Sequence, residues 1–404
     1  MIARTLALLG LVCAATVARP DDDDDLRTRL IVRLKPGVSP ILLAAKYGLA
    51  YRDGAWPFAL LQGDTPIETE DAQALLNQDP GVVWAEDDDQ SESPENTGGG
   101  RGGTIPTIAS DPVLQQLNQA ALKQVGYPSG AFLGWNAGRT IRVAVLDTGL
   151  SSSVSALTSR VVKWANTVDG GNAFDRPRGQ DTNGDSRVDG NVGHGTMVLG
   201  LIAQVAPAAR FIVIRAMDSD GMGTAWSLTK GLVVAVNQGA EIANLSLGSR
   251  KKIPAMSDVL DWAVEEKGLH VVAAAGNAQL SQAFSPADSS KTISVAGLDP
   301  NDRKATFSNW DSGLDLCVPA LSIKSYNTNA RIATWSGTSF ATPIATGGIA
   351  YALAQTKKKV TPDQLMASLR ATSLSVDTKN PLYKGKIGRK LRIGSLADYL
   401  KARY

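Results

Sequence analysis

The chain has 404 residues, of which 43% are hydrophobic and 20% charged, with a formal net charge of +2. This composition excludes overall disorder, and the length allows a large core together with a smaller domain. The charge is uneven, since residues 1–110 hold 9 basic and 17 acidic residues and residues 357–404 hold 12 basic and 3 acidic ones. The basic residues of that tail are scattered, without interleaved aromatic residues, so we expect a solvated face and no nucleic-acid partner.

Residues 1–18 have the pattern of a signal peptide. Arg4 precedes an apolar stretch that ends at Val12 and is followed by small residues. The stretch is too short to span a bilayer, and no other segment approaches the roughly 18 uninterrupted apolar residues that a spanning helix requires. The sequence therefore predicts a secreted, extracellular protein with no membrane association. Cys13 would leave with the signal peptide, and Cys317, which has apolar neighbours, is predicted to be an unpaired core residue.

Residues 26–89 are predicted to form a small α+β domain. An apolar run at Leu30–Leu34 ends in a turn and indicates a strand, two helical stretches follow, and Val82–Glu86 indicates a closing strand. The next segment, residues 90–110, is rich in Ser, Pro, Gly and acidic residues. Such a composition predicts an exposed linker that is open to proteolytic processing.

From residue 111 to residue 404 short apolar runs alternate with helical stretches. The runs that indicate strands are β-branched and almost continuous, and they lie at 141–146, 211–216, 242–247, 270–275 and 293–295. Strands that are apolar on both faces and joined by helices predict a parallel sheet covered on both sides. The predicted fold class is therefore α/β, with a doubly wound, mostly parallel sheet.

Three segments of this second domain carry reactive side chains where strands end or helices begin. A buried strand ends in Asp147, His194 stands between two glycines before an apolar helix, and Ser339 follows small residues into a long helix. A serine nucleophile needs a base, and the base needs a carboxylate that fixes its tautomer. The chain has only two histidines. The other one, His270, begins a strand without a glycine frame and is predicted to be structural.

The order Asp147, His194, Ser339 and the motif around each residue resemble those of the subtilisin-like serine proteases. The similarity runs from about residue 111 to residue 397. It implies a serine endopeptidase that cleaves protein or peptide substrates through an acyl-enzyme, without a cofactor for the chemistry. It also implies that Asn277, at the end of Val272–Asn277, supplies an oxyanion donor to catalysis.

The same resemblance assigns substrate-binding residues to the ends of two strands. By it, the backbone of two segments would hold an extended peptide as an added strand. The residues are Ser246, Leu247, Gly248, Ala274, Ala275 and Gly276. Because apolar and small side chains line these segments, the default expectation is a broad preference for uncharged or apolar side chains. The floor of the pocket is expected from loops, with 284–289 as one candidate.

The first domain resembles the inhibitor prodomain of the same family, at 31–37 and again at 79–86. The resemblance implies that this domain assists folding, caps the active site, and is removed by the enzyme itself within residues 90–110. The chain would then be made as a self-processed zymogen whose own prodomain is an intramolecular inhibitor. We expect the enzyme to be a monomer.

The sequence departs from the family pattern in a few places. Met197 and Ile344 stand where the family often has histidine, which predicts altered packing near the site. The loop Asp181–Asp189 has alternating oxygen ligands like the first half of an EF-hand loop, but Val192 occupies the twelfth position. Structural calcium and a solvated turn both stay open for this loop, and metal ligands are otherwise unknown.

Three other functions compete with this hypothesis. Asp147-Thr148-Gly149 and Asp311-Ser312-Gly313 mimic the paired motifs of pepsin-like aspartic proteases, but those enzymes are all-β. An α/β-hydrolase would need a Gly-x-Ser-x-Gly elbow and a different order of residues. A pseudoprotease that binds peptides along 245–248 is suggested only by Met197, and the intact triad argues against it.

Overall fold

A computed structural model describes residues 26–92, 94, 104–108, 116–128, 138–176, 179–182 and 188–404. The predicted signal peptide and most of the predicted linker lie outside these residues. Across the described part of the chain, no helix is both long enough and apolar enough to cross a membrane.

The N-terminal part is a four-stranded antiparallel sheet with strand order β2-β3-β1-β4 and two helices. Its elements are β1 (Arg29–Leu34), α1 (Pro40–Lys46), β2 (Ala50–Ala55), β3 (Phe58–Gln62), α2 (Pro66–Leu76) and β4 (Val82–Asp87). Each helix begins with proline after a capping residue, Ser39 or Thr65, whose hydroxyl accepts a hydrogen bond from the first turn. Along β1 the side chains alternate between two cores, with Leu30 packed among the domain's own residues and Ile31 packed against the rest of the chain.

The second part is built on a sheet of eight parallel strands in the order β17-β14-β13-β12-β11-β7-β9-β8. The strands are β7 (Arg142–Asp147), β8 (Val161–Asn166), β9 (Arg210–Arg215), β11 (Ile242–Leu245), β12 (His270–Ala274), β13 (Ile293–Leu298), β14 (Leu316–Pro319) and β17 (Arg389–Lys390). This sheet confirms the predicted fold class. Most of its strands are buried on both faces, as their continuous apolar runs predicted.

Helices cover both faces of this sheet. They are α3 (Gln119–Gln124), α4 (Ser155–Thr158), α5 (His194–Val205), α6 (Ala225–Asn237), α7 (Pro254–Asp261, continued by a π-helical turn at Trp262–Glu266), α8 (Thr338–Ala354), α9 (Pro362–Thr372) and α10 (Ile393–Arg403). Helices α5 and α8 pack in the core on one face, and α6 and α7 pack in the core on the other. Every residue of α8 is buried. Packing on all sides therefore fixes the position of its first turn.

The described part of residues 90–110 contains two short strands. They are β5 (Gln90–Glu92), which pairs with β10 (Met222–Thr224), and β6 (Thr104–Ile108), which pairs with β16 (Arg331–Trp335) beside β15 (Ile323–Tyr326). Both strands form on the edges of distant segments. Backbone pairing of this kind needs no apolar run, so composition alone does not predict these two strands.

Strand order and register bring the ends of three strands to one level. Strands β8 and β9, which follow β7 in the sequence, lie on one side of it, and the later strands β11 and β12 lie on the other side. The direction in which successive strands are added to the sheet therefore reverses beside β7. Leu245 pairs with Leu146 and with Ala273. The next residues, Asp147, Ser246 and Ala274, therefore emerge together at the carboxyl edge, where ligands bind in open α/β sheets.

Candidate active site

Asp147 and His194 form a buried pair at this edge. Nδ1 of His194 lies 2.7 Å from Oδ1 of Asp147, and the side chains are 0% and 1% exposed. Asp147 is the last residue of β7 and His194 the first of α5. A carboxylate bonded to Nδ1 holds the imidazole in the tautomer whose Nε2 can accept a proton.

Glycine at position 195 is what allows these two elements to approach so closely. A Cβ atom at this position would lie 2.2 Å from the carbonyl oxygen of Gly149 and 3.1 Å from Oδ1 of Asp147. Gly149 itself has a φ of +116°, which a side chain would strain. The glycines around the pair are therefore required by contact as well as by backbone conformation.

Ser339 lies in the first turn of α8 and is tied to the end of β11. Its Oγ donates a hydrogen bond of 3.3 Å to the carbonyl of Ser246, and the Ser246 hydroxyl donates one of 2.8 Å to the carbonyl of Ser339. Both serines are 0% exposed. Two reciprocal contacts thus fix the predicted nucleophile next to a predicted substrate-binding residue.

Two aromatic rings link His194 to the beginning of α8. The imidazole centroid lies 5.3 Å from the ring of Phe340 and 5.9 Å from that of Trp335, and these two rings meet edge to face at 5.3 Å. Phe340 directly follows Ser339 in the sequence. The rings therefore set the position of the histidine relative to the serine-bearing turn.

Asn277 is oriented by the residue that precedes Ser339. Its Oδ1 accepts hydrogen bonds of 2.9 Å from both the backbone N–H and the hydroxyl of Thr338. Asn277 is 2% exposed. Because the carbonyl end of the amide is bound to Thr338, the NH₂ end is directed elsewhere, as an oxyanion donor would require.

Asp175 is a partly buried carboxylate beside the pair, and the sequence alone did not identify it. Its Oδ2 accepts a 2.7 Å hydrogen bond from the Thr196 hydroxyl, and its Oδ1 accepts one of 3.2 Å from the Thr148 hydroxyl. The same hydroxyls accept the backbone N–H groups of Ser151 and Gly195. Burial raises the pKa of Asp175 above its ordinary value. No motif marks this residue in the sequence.

The predicted substrate-binding residues divide into two groups. Leu247 and Gly248 follow Ser246 after the end of β11, next to the nucleophile. Ala274 belongs to β12, an interior strand. The N–H and carbonyl groups of Ala275 are bonded to Val295 and Phe284, and those of Gly276 to Thr338 and Asn309. The backbone groups of Ala275 and Gly276 therefore already have partners within the protein, and the role of the six residues in substrate binding stays a prediction. We call the space between residues 246–248 and 274–276 the cleft.

An edge that does accept an added strand is β10, which the sequence analysis missed. Residues 222–224 of β10 pair antiparallel with residues 90–92 of β5. β5 follows closely on the N-terminal sheet. A segment from the N-terminal part thus occupies a peptide-like position on the larger domain.

The N-terminal sheet lies on helices α6 and α7 and contacts the start of each. Oδ1 of Asp88 accepts a 2.7 Å hydrogen bond from the backbone N–H of Trp226, in the first turn of α6. Glu86 accepts the backbone N–H of Ala255 in the first turn of α7. Carboxyl oxygens at helix N-termini satisfy N–H groups that have no partner within the helix.

One aspartate of α7 joins two residues of the N-terminal sheet. Oδ2 of Asp258 lies 2.6 Å from Nη1 of Arg33 and 2.5 Å from Nε1 of Trp84. Phe58 and Leu60 of the sheet lie in the same core as α6 and α7. The contact therefore combines apolar burial with oriented polar groups.

The remaining candidates lie away from this pair or are buried. His270 begins β12 at the opposite, amino-terminal edge of the sheet, and burial lowers its pKa to about 4. Cys317 is buried and unpaired, and burial raises its pKa. Met197 and Ile344 are fully buried in the core between α5 and α8. A parallel α/β sheet is also incompatible with a pepsin-like enzyme built on Asp147 and Asp311.

The acidic loop shows no calcium site in the part that is described, which excludes residues 183–187. The two carboxylate oxygens of Asp189 accept hydrogen bonds of 3.0 and 2.6 Å from the backbone and hydroxyl of Thr182. Within the described ranges, no group of three or more His, Cys, Asp or Glu side chains is placed to hold a metal ion. Both carboxylate oxygens of Asp189 are thus engaged by Thr182.

Comparisons with known proteins point to one family. The model of the subtilase family matches residues 138–391. Subtilisin BL of Lederbergia lenta is 33% identical over 257 residues, which cover 60% of this chain and 87% of that protein. Thermitase of Thermoactinomyces vulgaris is 34% identical over 52% of this chain and 74% of its own length.

The crystal structure of fervidolysin from Fervidobacterium pennivorans, a keratinolytic enzyme related to subtilisin, has a similar fold. The TM-score is 0.74 at 19% identity, over 92% of this chain and 61% of that chain. This coverage extends beyond the residues that the family model matches. At such low identity the likeness concerns the fold alone.

Proposed function

Since the chain belongs to the subtilase family and is therefore a serine endopeptidase acting on protein substrates, we propose that Asp147, His194 and Ser339 are its catalytic triad. The observation that carries this assignment is the buried 2.7 Å contact between Asp147 and His194 at the edge of the sheet where Ser339 begins α8. Each residue has the chemical type its role requires.

In the first step the Ser339 hydroxyl attacks the carbonyl carbon of the scissile peptide bond. His194 takes the serine proton at Nε2 as general base, while Asp147 accepts Nδ1–H and stabilises the imidazolium. The imidazolium then returns the proton to the leaving amine, and the acyl group stays on Ser339. Water, activated by the same histidine, hydrolyses this acyl-enzyme and restores the serine.

Asn277 supplies a hydrogen bond to the oxyanion of the tetrahedral intermediate. The two hydrogen bonds that Thr338 donates to its Oδ1 fix the orientation of the amide before substrate binds. The backbone N–H of Ser339, in the first turn of α8, is the second donor. Preorganised donors of this kind need no reorganisation during the reaction, which is the origin of their large effect.

The N-terminal domain, residues 26–89, acts as an inhibitor prodomain, and the chain is a zymogen that cleaves itself within residues 90–110. The pairing of β5 with β10 supports this, because it places the segment after the domain in the manner of an extended peptide. The hydrogen bonds that Glu86 and Asp88 accept at two helix N-termini support specific docking. The peptidase domain then comprises residues 111–404.

We further propose that residues 1–18 direct secretion and that the processed enzyme works outside the cell as a monomer. Its chemistry uses side chains and backbone groups alone, without a cofactor. Calcium bound at the loop 181–189 would have a structural role only, although both carboxylate oxygens of Asp189 already accept hydrogen bonds from Thr182.

The test compares the chain with its Ser339→Ala variant and with a control, Ser336→Ala, which removes a hydroxyl three residues away. Ser336 accepts a hydrogen bond from Ser322 and has no role in the proposed chemistry. We expect the control to process itself and to hydrolyse casein, and the Ser339→Ala variant to do neither. Retained hydrolysis in Ser339→Ala would contradict the triad.

A further inference from the structure

A phenylalanine lies between two glycines of the cleft. A Cβ atom on Gly248 would lie 2.9 Å from Cβ of Phe284, and a Cβ atom on Gly276 would lie 2.8 Å from Cδ2 of the same side chain. Phe284 is 1% exposed. Its side chain therefore lies in the gap between the segment after β11 and the segment after β12.

This gap is where the substrate side chain next to the scissile bond must go. The Ser339 hydroxyl lies 3.3 Å from the carbonyl of Ser246, and Asn277 directly follows Gly276. A carbonyl group attacked by Ser339 and bound at Asn277 therefore belongs to a residue that sits between these two segments. Its side chain leads from there into the gap flanked by Gly248 and Gly276.

Backbone hydrogen bonds hold Phe284 in this gap. The backbone N–H of Phe284 donates to the carbonyl of Ala275 at 3.0 Å, which ties it to the β12 side. The next residue, Ser285, exchanges two hydrogen bonds of 2.8 and 2.9 Å with Ser249, which tie it to the β11 side. The guanidinium of Arg250 lies 5.9 Å from the ring centroid. Both walls of the gap are thus joined to the segment that carries the ring.

We propose that Phe284 fills the pocket for the substrate residue whose carbonyl is attacked, so that the enzyme cleaves after glycine and alanine and excludes large apolar side chains. This inference rests on the proposed catalytic triad and narrows the broad apolar preference expected from the sequence. In the dense interior of a protein a ring cannot share its volume with a second large side chain. A hydrogen or a methyl group needs almost no additional space.

The experiment uses the full-length chain after self-processing and peptide substrates that differ only in the residue before the scissile bond. We expect kcat/KM for the alanine substrate to exceed that for the phenylalanine substrate by at least about tenfold, since pocket size discriminates by roughly 10–200-fold for each methylene group. In Phe284→Gly this ratio falls at least about tenfold. Phe284→Leu keeps an apolar core residue and serves as the second variant in case Phe284→Gly does not fold. We expect it to give an intermediate ratio.

The ratio of two substrates on one preparation does not depend on the fraction of folded enzyme. Phe211→Leu is the matched control, because Phe211 is a fully buried phenylalanine of β9 outside the cleft and its replacement should leave the ratio unchanged. Equal cleavage of both substrates by the parent enzyme, or an unchanged ratio in Phe284→Gly and Phe284→Leu, would overturn the inference. Hydrolysis that persists in Ser339→Ala would instead overturn the proposed triad.

Discussion

The carboxylate of Asp175 accepts a 2.7 Å hydrogen bond from the hydroxyl of Thr196, two residues after His194. Through Thr148 it also contacts the residue after Asp147. Asp175 therefore braces the two elements that carry the Asp147–His194 pair. We predict that Asp175→Ala lowers kcat/KM by about tenfold to a hundredfold, because small misplacements of catalytic groups cost rates of this order.

The pH profile separates this role from a general loss of structure. An ionised carboxylate at position 175 would lie close to Asp147 and His194 and would favour the imidazolium. In Asp175→Asn, which keeps the shape but not the charge, the acidic limb of kcat/KM should move to lower pH. A tenfold loss in Asp175→Ala with no shift of that limb in Asp175→Asn would indicate a packing role only.

Asp258 should govern docking of the N-terminal domain without affecting catalysis. Its replacement by alanine removes hydrogen bonds to Arg33 and Trp84, and charge-assisted bonds of this type contribute about 1.5–3 kcal/mol when partly buried. In a Ser339→Ala background, where the chain stays intact, Asp258→Ala should lower the thermal midpoint and speed limited proteolysis of the N-terminal domain.

The neighbouring Asp261→Ala is the control, because Asp261 is an exposed residue at the end of the same helix. In the processed enzyme, Asp258→Ala should leave kcat/KM for short peptides unchanged. Equal effects of the two substitutions on proteolysis would argue against a specific role of Asp258.

Docking of the N-terminal domain should weaken as the pH rises. Burial raises the pKa of Glu86 from 4.5 to about 7 in the docked state. A group whose pKa is raised on docking stabilises the docked state fully below pH 4.5, and this contribution is lost as the pH rises through about 7. In thermal melts of the Ser339→Ala chain, the unfolding midpoint of the N-terminal domain should fall between pH 5 and pH 8.

Glu86→Gln removes the titrating group and keeps its shape. Its midpoint should fall less over this range than that of the parent chain. Some pH dependence should remain, because burial also raises the pKa of Asp88. A variant whose midpoint falls as steeply as that of the parent would contradict the prediction.

Asn277→Ala should act on turnover more than on substrate binding. Loss of the corresponding donor in a subtilisin costs about 10²–10³ in kcat, and we expect a similar loss here with a nearly unchanged KM. Steady-state kinetics on one peptide substrate measures both constants. A rise in KM at constant kcat would place Asn277 in ground-state binding instead.

The sequence predicts those strands of the fold whose local pattern of apolar residues is sufficient to identify them. Buried parallel strands are apolar on both faces, so β7, β9, β11 and β12 were visible as continuous runs. Strands β5 and β6 were not, because they form by pairing with β10 and β16, which lie far away in the sequence.

The residues of the site likewise divide into those with a local sequence signal and those placed by tertiary contacts. Asp147, His194 and Ser339 are framed by glycines and small residues that their close packing requires, and this frame is a local signal. Asp175 reaches the site because Phe174 bridges to Leu150, and Phe284 reaches the cleft through contacts with Gly248 and Gly276. Such proximity comes from tertiary contacts that a single sequence does not display.

Covalent labelling of the nucleophile tests the assignment of the triad most directly. The processed enzyme is treated with an organophosphonate, digested, and its peptides are analysed by mass spectrometry. We predict one adduct, on Ser339, that is abolished in His194→Ala after this variant has been processed in trans by the parent enzyme, because the serine then lacks its base. An active enzyme that carries no adduct on Ser339, or a Ser339 that is labelled equally in His194→Ala, would contradict the triad.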